Sequence, residues 1–232
     1  MSPSIEAVRG KHILLGVTGS IAAYKTCELV STLRKAGAEV QVLVTKSALQ
    51  FVGAATFEGL TGRPVLADDF VDGQMMSHIQ FAKWADLFII APATAQTINR
   101  LATGTGEGIL TSTALAYDLK KPFLVAPAMN TQMLRHPTVQ SSLRLLQEMG
   151  VKVLGTGSGD LACGDVGEGR LLEPQTLAEE IANTLSHAGR SSRPLRLLIT
   201  AGGTKVPIDS VRSLTNSSTG LTGSTLADYF TS

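Results

Sequence analysis

Cys163 lies in a stretch of unusual composition, Gly155 to Arg170 (GTGSGDLACGDVGEGR), where six of sixteen residues are glycine. A thiol in a polar, glycine-rich segment is not behaving as a buried hydrophobe, and Arg170 or a bound ligand could tune its pKa. Such a segment can be a flap that orders over a ligand; the plain alternative is an incidental loop thiol. Asn130 closes the tetrapeptide PAMN, Pro127 to Asn130. Its amide can donate to and accept from a substrate carboxylate or amide, or it can cap a helix; the residue alone leaves these equal. His78 follows Met75-Met76-Ser77. An imidazole with an unperturbed pKa of about 6.5 suits a general base, although a lone histidine is as readily a surface or core residue. His12, His136 and His187 have no supporting context, and Cys27, among Thr26, Glu28 and Leu29, reads as packing.

Two turns would suit a ring and a phosphate. GVTGSIA, Gly16 to Ala22, departs from G-x-G-x-x-G. Its backbone N–H groups and the helix start behind it suit a phosphate, unless it merely turns tightly. A dinucleotide binder wants an acid at the end of the second strand. That position reads Thr45-Lys46, with Glu39 at the wrong end, so NAD is disfavoured. Hydroxyls at Ser20, Thr45 and Ser47 suit a mononucleotide phosphate better. PATA, Pro92 to Ala95, ends a central strand, where ligands of open α/β sheets gather; an ordinary strand-to-helix turn is the alternative.

The elements that must position these residues alternate. His12 to Val17 predicts a strand, Ile21 to Ala36 an amphipathic helix stopped by Gly37, and Val40 to Val44 the next strand. Asp86 to Ala91 is a buried strand followed by a helix to Ala102, and Glu107 to Leu119 looks helical. Pro122 to Ala126 is a strand, Pro137 to Met149 a helix, Val151 to Leu154 a strand, and Pro174 to about Ser186 a helix opened by proline. The pattern predicts α/β, a Rossmann-like or flavodoxin-like three-layer sandwich with a parallel sheet covered on both faces. Residues 1–187 form one domain and 188–194 (HAGRSSRP from His187) a polar linker; 195–232, with a strand from Leu195 to Thr200, open a second domain that they do not complete.

Twenty Lys and Arg against nineteen Asp and Glu give a charge of +1 without blocks, which argues against nucleic acid or an anionic membrane as the main partner. Aromatic residues make up 5% of the chain, too few for base-stacking platforms. Two cysteines make no disulfide framework and no four-ligand zinc spacing exists, so a reducing compartment is expected and a metal is not. MSPSIEAVRGKH lacks the apolar core of a signal peptide, and runs such as Leu87 to Pro92 are too short to span a bilayer; the protein reads as cytoplasmic and soluble.

GVTGSIAAYK, SHIQFAKWAD, APATA, PAMNTQM and ACGDVGEGR, in this order, resemble the homo-oligomeric flavin-containing cysteine decarboxylases. Within that family the likeness is to the phosphopantothenoylcysteine decarboxylases of coenzyme A biosynthesis, over about residues 11 to 186. Leu197 to Gly220 (LLITAGGTKVPIDSVRSLTNSSTG) resembles the start of phosphopantothenate–cysteine ligase, which many bacteria fuse behind the decarboxylase. That match ends abruptly, so ligation is not expected.

The resemblance implies FMN, and decarboxylation of 4'-phosphopantothenoylcysteine to 4'-phosphopantetheine. Cysteine carboxylates lack an electron sink; oxidising the thiol end to a thioaldehyde creates one, and the ene-thiolate left after CO2 loss is then reduced and protonated. By the same resemblance His78 is the active-site base, Asn130 binds the substrate carboxylate or amide, and Cys163 is the proton donor. Met133 and Arg170 join Asn130 on the substrate, with Arg170 in the flap. Gly19, Ser20, Thr45, Ser47, Phe51, Pro92, Ala93, Thr94, Ala95 and Ala128 match flavin-contacting positions. The family implies homotrimers or homododecamers with the flavin at a subunit boundary. One departure stands at Glu107-Gly108, where the family usually has an Asn/Asp pair. Two other readings are a peptidyl-cysteine decarboxylase and a catalytically silent flavin-binding regulatory subunit. The ligase-like tail argues against the first, and the joint presence of His78, Asn130 and Cys163 against the second; flavin prenyltransferases share the fold but not PAMN or the cysteine flap.

Overall fold

Runs rich in Val, Leu and Ile become parallel strands because both sheet faces are covered and no polar alternation is needed. In the computed structural model, which describes residues 3–67, 77–160, 166–187 and 198–231, six of them form one sheet. They are β1 (His12–Val17), β2 (Glu39–Val44), β3 (Leu66–Ala67), β4 (Leu87–Ala93), β5 (Phe123–Pro127) and β6 (Lys152–Val153), in the order β3-β2-β1-β4-β5-β6. The chain steps outward from β1 to β3, then returns to β4 on the other side of β1. Ile13 pairs with Val40 on one side and Leu87 on the other.

Side-chain alternation sends odd and even strand positions to different layers. Ile13, Leu15 and Val17 meet α1 (Lys25–Lys35), α2 (Ala54–Thr61) and α8 (Pro174–His187), through Leu29, Phe57 and Ile181. Leu14, Phe88 and Ile90 meet α3 (Ser77–Trp84), α4 (Ala95–Thr103), α5 (Gly108–Ala116) and α7 (Pro137–Glu148), through Ala82, Ile98, Leu110 and Leu143. Phe88 stacks on Phe123 at 4.8 Å between centroids, with Tyr117 edge-on at 5.6 Å. Burial raises the Tyr117 hydroxyl far above its ordinary pKa, and that hydroxyl donates to the Pro122 carbonyl at 3.0 Å. The result is a flavodoxin-like three-layer α/β sandwich.

Several boundaries differ from the sequence expectation. The first helix opens as a 3-10 turn, Ile21–Tyr24, before α1, and Gly37 does end it, at φ +89°. The helix expected from Glu107 to Leu119 is shorter, because Tyr117 leaves the helical region to place its ring in the core. The glycine-rich stretch is not simply a loop: Gly157–Asp160 (β7) and Val166–Arg170 (β8) pair antiparallel. A short helix, α6 (Thr131–Arg135), stands between β5 and α7.

The chain divides into two compact units, Met1–Gly189 and Arg190–Ser232. The second contains the antiparallel pair β9 (Lys205–Pro207) and β10 (Ser213–Thr215), then α9 (Leu221–Thr231). Its hairpin turn is held by Asp209, which accepts from the Val211 and Arg212 backbone and pairs with the Arg212 guanidinium. These bonds, the Val211 N–H first, hold its carboxyl below the usual carboxylate range. The strand expected from Leu195 to Thr200 is not found over Leu198–Thr200, where no ladder forms; residues 195–197 lie outside the described residues. A strand without a paired neighbour has nothing to accept its backbone hydrogen bonds. Among the described residues no helix is long and apolar enough to cross a membrane, and no cluster of His, Cys, Asp or Glu could hold a metal ion.

Candidate active site

The reversal of strand order between β1 and β4 opens a crevice at the carboxyl edge, where successive crossovers depart to opposite faces. A cleft of about 450 Å³ lies there, bordered by Gly19, Ser20 and Lys25 after β1, Thr94 after β4, and Ala128 and Asn130 after β5. The closing wall comes from Gly169, Arg170 and Leu171.

Thr18 ties the first two loops together. It is buried; its Oγ1 donates to the Pro92 carbonyl at 2.6 Å and accepts from the Thr94 N–H at 3.1 Å. Sequence reasoning passed over this residue because its partners are more than seventy positions away. Thr18→Val keeps the shape but orphans both groups. It is expected to cost about 1–3 kcal/mol of stability, read by urea denaturation; a loss within error of zero would show the bridge to be idle.

The small and hydroxylic residues expected to meet a cofactor divide into three groups. Gly19, Ser20, Thr94 and Ala128 face the cleft. Ser47 sits behind Gly19, where a Cβ would lie 2.5 Å from the serine Oγ, so only glycine lets the two loops touch. Ser47 in turn bonds Thr45 at 3.1 Å, and Thr45 Oγ1 accepts from the Ala48 N–H. Ser20 Oγ accepts from the Ala22 N–H at 3.3 Å, capping the 3-10 turn. Pro92, Ala93 and Ala95 are buried beneath the surface and do not border the cleft, since Pro92 and Ala93 still belong to β4. Phe51 is 45% exposed and also stands outside the lining.

Of the two roles that its sequence left open, the structure shows Asn130 in the capping one, at the border of the cleft. Its Oδ1 accepts from the Gln132 N–H at 2.8 Å and so caps α6, while the residue lines the cleft with Met133. The β7–β8 hairpin docks on this same loop. The Met129 N–H donates to the Gly169 carbonyl at 3.0 Å, and Thr131 Oγ1 donates to the Glu168 carbonyl at 2.6 Å. Glycines make that contact possible. A Cβ on Gly167 would stand 2.5 Å from Thr131 Oγ1, and one on Gly169, at φ +123°, would overlap the Met129 carbonyl oxygen.

Lys25 is a charged lining residue that sequence reasoning did not single out. One turn inside an amphipathic helix, it looks like any solvated lysine; only the fold brings it to Glu173, 148 positions later, at 2.6 Å. That hydrogen bond, before any other cause, holds the Glu173 carboxyl below the usual range. Arg170, the last residue of β8, stands 3.8 Å from the same carboxylate oxygen.

His78 is not brought to this cleft within one copy of the chain. It is half-buried at the start of α3, in the layer opposite α1 and α8, and it is not among the lining residues. The far end of α3 is pinned at the amino edge, where Trp84 stacks on His12 at 4.4 Å. Cys163 and its neighbours 161–165 lie outside the described residues. Cys27 is half-buried against the first core layer, and burial pushes its thiol pKa up, as packing requires. Glu107 pairs with Arg100 at 2.6 Å across the start of α5. The cleft can therefore seat a flat ring against small residues, a phosphate against hydroxyls and backbone donors, and a second ligand between an amide and two cations.

The family described as Flavoprotein matches residues 1–186, and the DNA/pantothenate metabolism flavoprotein C-terminal domain matches residues 193–232. The chain is similar to the coenzyme A biosynthesis bifunctional protein CoaBC of Vibrio vulnificus, 44% identical over 229 residues, covering 96% of this chain and 55% of that protein. It is likewise similar to the protein of that name from Escherichia coli, 41% identical over 224 residues, covering 95% and 54%. The chain thus spans about half the length of the curated relatives it matches. Among solved structures it resembles a cysteine-to-serine variant of PPC decarboxylase complexed with pantothenoylaminoethenethiol, with a TM-score of 0.69 and 32% identity, covering 77% of this chain and 100% of that one. It also resembles the FMN-dependent cysteine decarboxylase SpaF, with a TM-score of 0.66 and 27% identity, covering 78% and 98%.

Proposed function

We propose, for a chain that belongs to the Flavoprotein family, that its first unit is an FMN-dependent decarboxylase converting 4'-phosphopantothenoylcysteine to 4'-phosphopantetheine and CO2. The observation that carries this reading is the docking of the glycine hairpin on the PAMN loop, which puts Asn130, Met133 and Arg170 around one cleft. Support also comes from the relatives that act in coenzyme A biosynthesis and from the PPC decarboxylase structure.

The residues present fit FMN. Small residues at Gly19, Thr94 and Ala128 leave room for a flat ring, and the Ser20 hydroxyl with the N–H groups of the Ile21–Tyr24 turn suits its phosphate, with Thr45 and Ser47 supporting that loop from behind Gly19. When bound, FMN supplies reversible oxidation of the substrate's thiol end, giving the carbanion of CO2 loss an electron sink. The protein's part is to orient and to move protons. The Asn130 amide holds the substrate carboxylate or amide. His78 takes a proton as general base. Cys163 protonates the carbon of the ene-thiolate. His78, which does not line the cleft of its own copy, acts on the cleft of a neighbouring one, in a homotrimer or an assembly of trimers.

Residues 1–187 act as this enzyme, 188–194 as a linker, and 195–232 as the opening of a ligase-type domain, in a cytoplasmic protein. A peptidyl-cysteine substrate and a silent flavin subunit are both disfavoured by the C-terminal match to a pantothenate-metabolism domain.

The test is single-turnover chemistry on the FMN-loaded chain. Wild type is expected to be yellow and to give CO2 and 4'-phosphopantetheine in equal amounts. Cys163→Ser is expected to release CO2 yet lose at least about a hundred-fold in the rate of product formation, the scale of a lost proton donor. Normal product formation by that variant refutes the role of Cys163, and a chain that binds FMN but releases no CO2 refutes the function.

A further inference from the structure

Lys25 and Arg170 reach the cleft from different elements, α1 and the end of β8, and converge on one atom. Glu173 Oε1 stands 2.6 Å from the lysine ammonium and 3.8 Å from the arginine guanidinium. The three partners are unequally buried: the Lys25 side chain is 12% exposed and Glu173 62%. A buried ammonium needs a counter-ion at all times. An exposed carboxylate can return to water at little cost, because water solvates it nearly as well as its partner does. Glu173 is therefore the replaceable member. Among the described residues no carboxylate lines the cleft itself, so Lys25 and Arg170 give it a positive wall beside Asn130 and Met133.

We propose that Lys25 and Arg170 are the seat of the substrate's phosphomonoester, and that Glu173 is an internal anion holding both cations in place until the phosphate displaces it. This rests on the reading of the cleft as a decarboxylase site. A phosphate dianion offers three oxygens where the pair now shares one. It can meet the guanidinium fork with two of them and the ammonium with the third. The proposed function gives FMN's own phosphate a chemically different seat, the Ser20 hydroxyl and backbone N–H groups rather than a pair of cations. Glu173 does not touch the reacting atoms; it is a positioning residue that also sets how strongly an incoming anion must compete. Its place three residues after Arg170, at the foot of the hairpin, lets arrival of the phosphate release one end of the flap from α1.

The experiment compares phosphorylated and unphosphorylated pantothenoylcysteine on the FMN-loaded full chain, by kcat/KM, and phosphopantothenate with pantothenate by calorimetry. Wild type is expected to prefer the phosphorylated member of each pair. Lys25→Met and Arg170→Met are each expected to lose at least tenfold more on the phosphorylated member, with Lys25→Arg keeping the preference. Glu173→Gln is expected to lower KM and Kd for the phosphorylated ligands at least threefold without doing so for the others; a mere strut would weaken both. The idea fails if the preference survives Lys25→Met, if Glu173→Gln weakens phosphorylated ligands, or if Lys25→Met instead removes the preference for FMN over riboflavin. Turnover of both substrates at one rate by wild type overturns this inference alone. Turnover of neither overturns the function and the inference with it.

Discussion

Gly169→Ala is expected to lower kcat/KM by at least about a hundred-fold, equivalent to about 2.7 kcal/mol of transition-state stabilisation, in a protein that still folds and still binds FMN. Two independent costs meet at this position. At φ +123° a side chain is strained, and the added Cβ would overlap the Met129 carbonyl oxygen, which is backbone and cannot rotate away. The hairpin must lift, breaking the Met129-to-Gly169 and Thr131-to-Glu168 hydrogen bonds and carrying Arg170 out of the cleft wall. The core layers lie elsewhere, so the melting temperature is expected to fall by only a few degrees, on the scale of about 1 kcal/mol. Gly155→Ala is the control: it belongs to the same glycine-rich stretch, but its Cβ would meet nothing within 4 Å. Activity of Gly169→Ala within threefold of wild type would show that hairpin docking does not matter to catalysis.

The second large effect is a rescue. His78→Ala and Asn130→Ala are each expected to lose about a hundred-fold or more in kcat, the usual scale for a general base or an essential orienting group. Co-expressed in equal amounts, they are expected to regain about a quarter of wild-type activity, because in a randomly assembled ring one boundary site in four takes Asn130 from one copy and His78 from the next. A cleft completed within one copy would give no rescue at all. Co-assembled protein no more active than either parent therefore removes His78 from the neighbouring site.

Much of the scaffold was legible because its signals are local. β1 and β5 are uninterrupted apolar runs bounded by turn residues, and Gly37 and Pro137 mark helix ends by backbone preference alone. Elements held by tertiary context were not legible. β3 is two residues that pair only because β2 offers an edge, and α2 carries Gly59 and two threonines where a helix pattern should be strong. Strands β7 and β8 were hidden by glycine, which weakens strand propensity everywhere except where another backbone must come close. The site followed the same division. Asn130, Met133, Arg170, Gly19, Ser20, Thr94 and Ala128 border one cleft, and their motifs had marked them. Thr18 and Lys25 lie inside GVTGSIAAYK and Glu173 carries no motif, yet none of the three was singled out, because their contacts run to partners 74 to 148 positions away. His78 was marked by its motif, yet within one copy of the chain it does not border that cleft.

The backbone bond from Met129 to the Gly169 carbonyl has a spectroscopic use. An amide proton exchanges with solvent only when its bond opens, so deuterium uptake at Met129 is a clock for hairpin lifting, independent of turnover and of colour. Saturating the cleft should slow that clock, and an unchanged rate would show that the peptide preceding Asn130 does not answer to what fills the cleft.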